Sequence, residues 1–228
     1  MRKLLLSTAV VAAMASVSFA GQAAESATLA ITGTITPATC DVSLSSATVE
    51  FGNIAASTLT TAYNIKAGND VTLNVDCDAA AATAIQTTDN RTASAMTLAE
   101  VEEQMKFSSS FLSTNLFGLG TDSAQGKVGL MAIGITAATA DGTANTHVLT
   151  STDKATWTAT TLSATSTAVL EKNGYFALAS DADTAAPVAL TKSTYTLSPQ
   201  IILKNASLYP TGEEVPIDGN VTFSVVYL

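Results

Sequence analysis

The chain has 228 residues, of which 47% are hydrophobic and only 13% are Asp, Glu, Lys or Arg, and its net charge is −9. A polyanion with no basic patch and no aromatics interleaved among basic residues is a poor binder of nucleic acid or of acidic membranes, so neither is expected as a partner. Low charge with abundant Thr and Val points to strands rather than helices.

Arg2 and Lys3 precede an apolar run from Leu4 to Val17, and Ser18-Phe19-Ala20 then places small residues at the −3 and −1 positions of a cleavage site. That order predicts a secretory leader over residues 1–20, cut after Ala20 or, as the second choice, after Ala23. The apolar run is too short and wrongly flanked for a membrane anchor. Loss of Arg2 and Lys3 with the leader makes the remainder more acidic still. In an exported chain, the two cysteines Cys40 and Cys77 predict one disulfide. The closed loop of about 37 residues would contribute roughly 4 kcal/mol in the chain-entropy account.

After the leader, Ala27 to Ile35 alternates, with Ala27, Leu29, Ile31 and Ile35 among its apolar residues, and reads as a strand. Asp41–Leu44 and Ala47–Phe51 read as two more, the second ended by Gly52-Asn53. Tyr63 to Asp76 contains the alternating Val71–Val75, and the run Ala79–Ala84 reads as a loop. Thr97–Lys106 predicts one short helix, with Leu98, Val101 and Met105 on one face and Thr97 with Glu100 as a capping box. Lys127–Ile135 is a longer apolar run, and Asp141-Gly142 marks a turn. Thr156–Thr160 reads as a strand carrying Trp157, and Thr161–Thr167 as a loop. Asn173-Gly174 signals a hairpin before Tyr175–Leu178. Tyr195–Leu203 precedes a last strand that Asp218-Gly219 sets up. There Val221, Phe223, Val225 and Tyr227 share one parity, the period of a half-buried strand. Short strands between turns, with little helix, mean an all-β sandwich or barrel.

Chemistry finds few footholds. His147 is the only histidine, and no nucleophile elbow accompanies it. Glu102-Glu103 and Glu213-Glu214 are adjacent carboxylates, which on a helix do not face one another. The pairs Asp76 with Asp78 and Asp181 with Asp183 lack the spacing and the later Glu of a calcium loop. Asn90, Asn205 and Asn220 begin glycosylation-type triplets, which arise easily in a Ser- and Thr-rich chain. No cofactor, metal or catalytic residue is expected, and the chain does not read as an enzyme.

Four features nevertheless stand in a telling order: a leader, the alternating Glu25–Thr32, then GTITPATC (Gly33–Cys40) leading to FGNI (Phe51–Ile54), and LNVDC (Leu73–Cys77). The sequence closes on Gly219-x-Val221-x-Phe223-x-Val225-x-Tyr227. This set resembles the subunits of chaperone–usher fimbriae over residues 25–78 and the last ten. More narrowly, GTITPATC with VEFGNI is similar to a little-studied branch of fimbrial-like exported proteins. The resemblance implies an immunoglobulin-like Greek-key sandwich lacking its last strand. A periplasmic pilus chaperone would fill the gap first and the extension of the next subunit afterwards, by β-strand addition at an outer-membrane usher. It further implies a donor extension over 21–32, with Ala27, Leu29 and Ile31 pointing inward, and a domain over 33–228. The groove edge would comprise Val221, Phe223, Val225 and Tyr227, with the Leu228 carboxylate presented to the chaperone. Ala27 stands where major subunits commonly carry glycine. The product would be a surface fimbrium of like subunits supporting adhesion. A fimbrial-like adhesin or exported module binding a host glycan or receptor, with Trp157 as its test residue, is the alternative reading, and an exported enzyme built around His147 a third.

Overall fold

The computed structural model describes residues 27–107 and 110–228. The expected leader and residues 21–26 of the expected extension lie outside the described residues. The chain divides into two compact units, residues 1–36 and 37–228.

Of the first unit, residues 27–36 form no regular element. Leu29, Ile31 and Ile35 are 84%, 89% and 98% exposed. The strand expected over Ala27–Ile35 is therefore not formed. Alternation suits a half-buried strand, but a strand persists only where a neighbouring edge takes its N–H and C=O groups.

The second unit is all-β. Its strands are β1 (Cys40–Leu44), β2 (Tyr63–Ala67), β3 (Val71–Asp89), β4 (Phe117–Gly118), β5 (Gly129–Ala140) and β6 (Thr143–Ala144). They continue as β7 (His147–Ser151), β8 (Thr158–Thr161), β9 (Ala168–Val169), β10 (Tyr175–Leu178), β11 (Ala189–Lys204) and β12 (Val221–Tyr227), and the helix α1 (Leu98–Met105) lies between β3 and β4. The strands pair antiparallel in one sheet, ordered β4-β5-β11-β3-β10-β7-β8, that curls into a sandwich.

β3 organises the fold because it serves both layers. Its first half pairs with β1 (Cys40↔Cys77 to Leu44↔Leu73) and with β11 (Lys192↔Asp76 to Leu197↔Val71). Its second half pairs with β12 (Val221↔Asp89 to Tyr227↔Thr83) and with β10 (Tyr175↔Gln86, Phe176↔Ile85). The expected loop Ala79–Ala84 is instead the middle of this strand. Propensity alone disfavours alanine there. Small side chains suit the place where the strand passes between layers, and both neighbours hold its backbone, Leu190 pairing with Ala81 and Tyr227 with Thr83. The expected disulfide joins Cys40 to Cys77 and ties β1 to β3 at the start of that crossing.

Between the layers lies the larger core. Leu73, Val75, Ile85, Ile135, Val148, Phe176, Leu197 and Ile201 are almost fully buried in it. Phe176 meets Tyr195 edge-on at 4.9 Å between ring centroids and Phe223 edge-on at 6.3 Å. A second cluster explains the unbroken apolar run of β5. Leu130 and Ile202 point away from the sandwich core and are covered by Met96, Val101, Met105 and Leu116. The helix that supplies this cover has the expected capping box: Glu100 N–H donates to Thr97 Oγ1 at 3.2 Å, and Thr97 N–H to Glu100 Oε2 at 2.7 Å. Leu98, expected on the buried face, is 43% exposed, because only Val101 and Met105 reach the sheet from this short helix. Thr97→Ala is expected to cost about 1 kcal/mol in urea denaturation.

Turns divide into those that behave as expected and those that do not. Asp141 (φ 46°) and Gly142 (φ 80°) are both left-handed and close a two-residue hairpin between β5 and β6, the geometry that residue pair favours. Asn173-Gly174 does not close a hairpin. The strand before it, β9, pairs with β5, and the strand after it, β10, pairs with β3 and β7, so this turn is a corner between layers. Trp157 lies just before β8 rather than within it. Tyr63–Asp76 is broken at Gly68–Asp70 into β2 and β3.

Turn carboxylates are held ionised by local donors. The Thr191 hydroxyl and the Lys192 N–H lower Asp141, and the Thr184 hydroxyl lowers Asp181. The Thr156 N–H lowers Asp153, and Lys127 at 2.8 Å lowers Glu100. A carboxylate lower in the folded than in the unfolded chain contributes stability that is fully present above its unfolded value. That contribution is lost as pH falls through the depressed folded value. The melting temperature is therefore expected to fall progressively once pH drops below the ordinary values of 3.8 for Asp and 4.5 for Glu. A pH series of thermal melts reads this directly, and Asp141→Asn should flatten part of the slope.

Candidate groove beside the last strand

β12 alternates as its sequence demands. Val221, Phe223 and Val225 are half-buried against the core, and Thr222 and Ser224 face solvent. Tyr227 departs from its parity. The residue is 51% exposed, and its hydroxyl accepts the Cys40 N–H at 2.7 Å. This bond fastens the end of β12 to the beginning of β1, so the two strands lie end to end along one edge of β3. Leu228 is 49% exposed, and its N–H donates to the Ala82 carbonyl at 3.1 Å. Among the described residues, β12 pairs with β3 alone. Among the described residues, the backbone N–H and C=O groups on the edge of β12 away from β3 thus have no strand partner.

Opposite that edge stands the stretch expected as the strand Ala47–Phe51. It forms no strand. β1 ends where serines take over the backbone: Ser45 Oγ accepts the Thr72 N–H at 2.9 Å, while Ser46 Oγ bonds Thr48 through both its carbonyl and its N–H. Local hydroxyl bonds of this kind compete with a sheet ladder. The wall that results forms no regular element, with Val49, Phe51 and Ile54 only half-buried.

Between this wall and β12 runs a groove of about 1490 Å³. Its floor is the core itself, including Leu59, Val71, Leu119, Val128, Met131 and Leu203, and Val221 and Phe223 line its side. Small-molecule pockets typically enclose about 300–1,000 Å³ and present several converging polar groups. This groove is larger, with an apolar floor and a rim of mixed polar and apolar side chains. A sandwich core reached from outside along an unpaired strand edge fits an extended polypeptide, whose alternate side chains would enter the core while its backbone pairs with the edge.

The loop leading into β12 is firmly held. Arg91 grips Asp218 through Nε–Oδ2 at 2.7 Å and Nη2–Oδ1 at 3.0 Å, and the Asp218 N–H donates to the Leu119 carbonyl. Gly219 follows, where an added Cβ would lie 3.2 Å from Met131 Cε, so the absence of a side chain lets the backbone pass close over the groove floor. The Tyr209 hydroxyl donates to the Val128 carbonyl at 2.7 Å and accepts the Lys204 N–H. Burial pushes that hydroxyl up to about 12 and lowers the Lys204 ammonium, which sits 4.8 Å over the Tyr209 ring.

The other singled-out side chains do not converge. His147 lies on β7, its Nδ1 buried without a hydrogen-bond partner. Among the described residues no group of three or more His, Cys, Asp or Glu side chains comes together. Asp76 pairs with Lys192 at 2.7 Å, Asp78 accepts from Thr39, and Asp181 accepts from Thr184. The Trp157 indole N–H donates to the Lys154 carbonyl. Sequence reasoning missed the serine-broken wall and the loop 209–220. Ser45-Ser46 was the available signal for the first. The described residues contain no helix long and apolar enough to cross a membrane.

Over residues 29–132 the chain is similar to a family described as a protein of unknown function, DUF1120. That stretch contains the disulfide, the 46–54 wall and β3, and it ends before β12. No curated protein and no solved structure matches the chain.

Proposed function

We propose that this protein is a structural subunit of a chaperone–usher-type fimbrium, exported through the periplasm, whose sandwich is completed by a strand from another molecule. One observation carries the reading: a core-floored groove opens beside the start of β12, whose outer edge has no strand partner among the described residues, and the same chain carries an uncharged, alternating segment over 27–36 that forms no strand of its own. An unpaired apolar edge is a hazard unless something covers it. β-Strand addition covers it with main-chain hydrogen bonds and alternate side chains, for which Ala27, Leu29 and Ile31 have the right period. The order of motifs from Gly33 to Cys77 supports the same reading.

In this account a periplasmic chaperone holds the groove first, and the 21–32 segment of a neighbouring subunit replaces it at the usher. Cys40–Cys77 ties β1 to β3, and the Tyr227–Cys40 bond ties β12 to β1, along the edge that either strand would meet. Deleting residues 21–32 is the test. The full chain should form heat-resistant oligomers when co-expressed with a fimbrial chaperone and usher, and the deleted chain should not. A deleted chain that still polymerises, or that accumulates alone as a stable monomer without any chaperone, would contradict the proposal.

A further inference from the structure

The layer that contains β12 runs β12-β3-β10-β7-β8 and ends on β8, whose outer edge has no strand partner among the described residues. Proteins usually guard such an edge with charge, proline or a bulge. Among the strands of four or more residues that pair on one side only, β1 carries Asp41 and β2 carries Lys66. β12 and β8 carry no charge. Strand donation accounts for β12 and leaves β8 unexplained. Residues 155–170 around β8 contain no charged side chain, no proline and no glycine. The nearest charges before this run are already engaged: Asp153 accepts the Ala155 and Thr156 N–H groups, and Lys154 sits 5.4 Å over the Tyr175 ring.

One hydrogen bond sets the direction of the backbone groups. Leu162 N–H donates to the Thr146 carbonyl at 2.7 Å. Because an antiparallel ladder alternates, Thr158 and Thr160 then point their N–H and C=O groups at β7, and Ala159 and Thr161 point theirs outward. Ala159 and Thr161 are both exposed. Beyond them the chain leaves the edge: Leu162 is buried, and the Ser163 N–H donates back to the Ser166 carbonyl.

We propose that this edge pairs antiparallel with the same edge of a second copy, about a two-fold axis at Thr160. In that register Ala159 of each strand faces Thr161 of the other, and every outward N–H and C=O of both strands finds a partner. Thr160 meets Thr160, a favourable cross-strand pair. Charge selects a second copy as the occupant. The chain carries −9, so two copies repel where their carboxylates meet, and this neutral run is where they approach without that cost. A strongly charged partner would find no counter-charge along it. The shortness of β8 keeps one contact weak. A two-fold contact closes on itself, whereas strand donation continues head to tail. On the fimbrial reading, on which this last step rests, the β8 contact therefore joins fibres side by side, and its repetition along the fibre multiplies it.

Both cysteines of the chain are bonded to each other, so a cysteine placed at 160 is the sole free thiol. At the axis the two Cα atoms would stand about 4.5 Å apart, within disulfide reach. The full chain is expressed with a fimbrial chaperone and usher, oxidised with copper phenanthroline, and unfolded by boiling in denaturant before non-reducing electrophoresis. T160C should form covalent dimers about ten-fold faster than A124C, whose thiol lies on an exposed turn outside β8, because pairing concentrates the two thiols. T160C/T161K should fall to the A124C rate, since lysines then flank the axis in both copies. T161K alone should leave heat-resistant oligomers unchanged and separate fibres that the unaltered chain gathers into bundles in electron micrographs. Equal rates for T160C and A124C with oligomers present, or bundles that persist in T161K, would overturn the β8 contact and leave the fimbrial reading standing. Fast T160C dimers that survive T161K would overturn the assignment to this edge. Fast, T161K-sensitive dimers without heat-resistant oligomers would support the contact and overturn the fimbrial reading instead.

Discussion

Replacing Cys40 and Cys77 together with alanine is expected to cost about 4 kcal/mol, because the bond closes 37 residues of chain that the unfolded state would otherwise sample freely. The closed segment contains β1, the 46–54 wall, β2 and the first half of β3. These are the pieces that make one side of the groove. The loss should therefore exceed a simple change in stability: the wall should loosen before the core does. Reducing the native protein under mild denaturant should expose the amides of β1 while those of β5 and β11 remain protected.

Phe176→Ala is the second large effect, expected at about 3–5 kcal/mol. Phe176 is 1% exposed and sits edge-on to Tyr195 in one layer and to Phe223 in the other. Truncation removes the ring that joins β10, β11 and β12 and leaves a cavity next to the groove. Phe176→Leu should recover much of the loss, because it refills most of that volume. Equilibrium denaturation of the two variants gives both numbers, and a common denaturant slope would show that the unfolding remains two-state.

Much of the fold could be read from residue pattern. The disulfide, the capped helix, the Asp141-Gly142 hairpin and the alternation of β12 each rest on local chemistry that one short stretch contains. What could not be read depended on partners distant in sequence. Ala79–Ala84 lacks strand propensity, and only β11 and β12, more than a hundred residues later, hold it extended. Ala47–Phe51 has the strand pattern and lacks a neighbour, and Ala27–Ile35 does likewise. Asn173-Gly174 turns as its residues require, but which strands flank a turn is a matter of topology and not of the turn. For the groove, Val221, Phe223 and Val225 were visible as one face of a strand. The placement of Val221 and Phe223, but not Val225, on one groove with Phe51 and Ile54 was not, because it follows from β1 and β12 sharing one edge of β3. Tyr227 shows the limit of period-two reasoning: its ring lies on the apolar parity, but its hydroxyl finds the Cys40 N–H and draws it outward.

The two stretches with strand pattern and no strand are the two that the proposed function requires to be unpaired before assembly. On that proposal the uncharged segment over 26–36 would be the donated strand, and the start of β12 with the 46–54 wall would be its seat. The account stands or falls on whether such a strand enters there. Amide hydrogen exchange of the chain, with and without a synthetic peptide of residues 26–36, measures this most directly. Protection should appear in β12, at amides of Val221–Tyr227 that do not face β3, and along residues 47–51, with β7 and β8 unchanged. An unaltered exchange pattern in β12 at saturating peptide, or protection confined to β7 and β8, would contradict it.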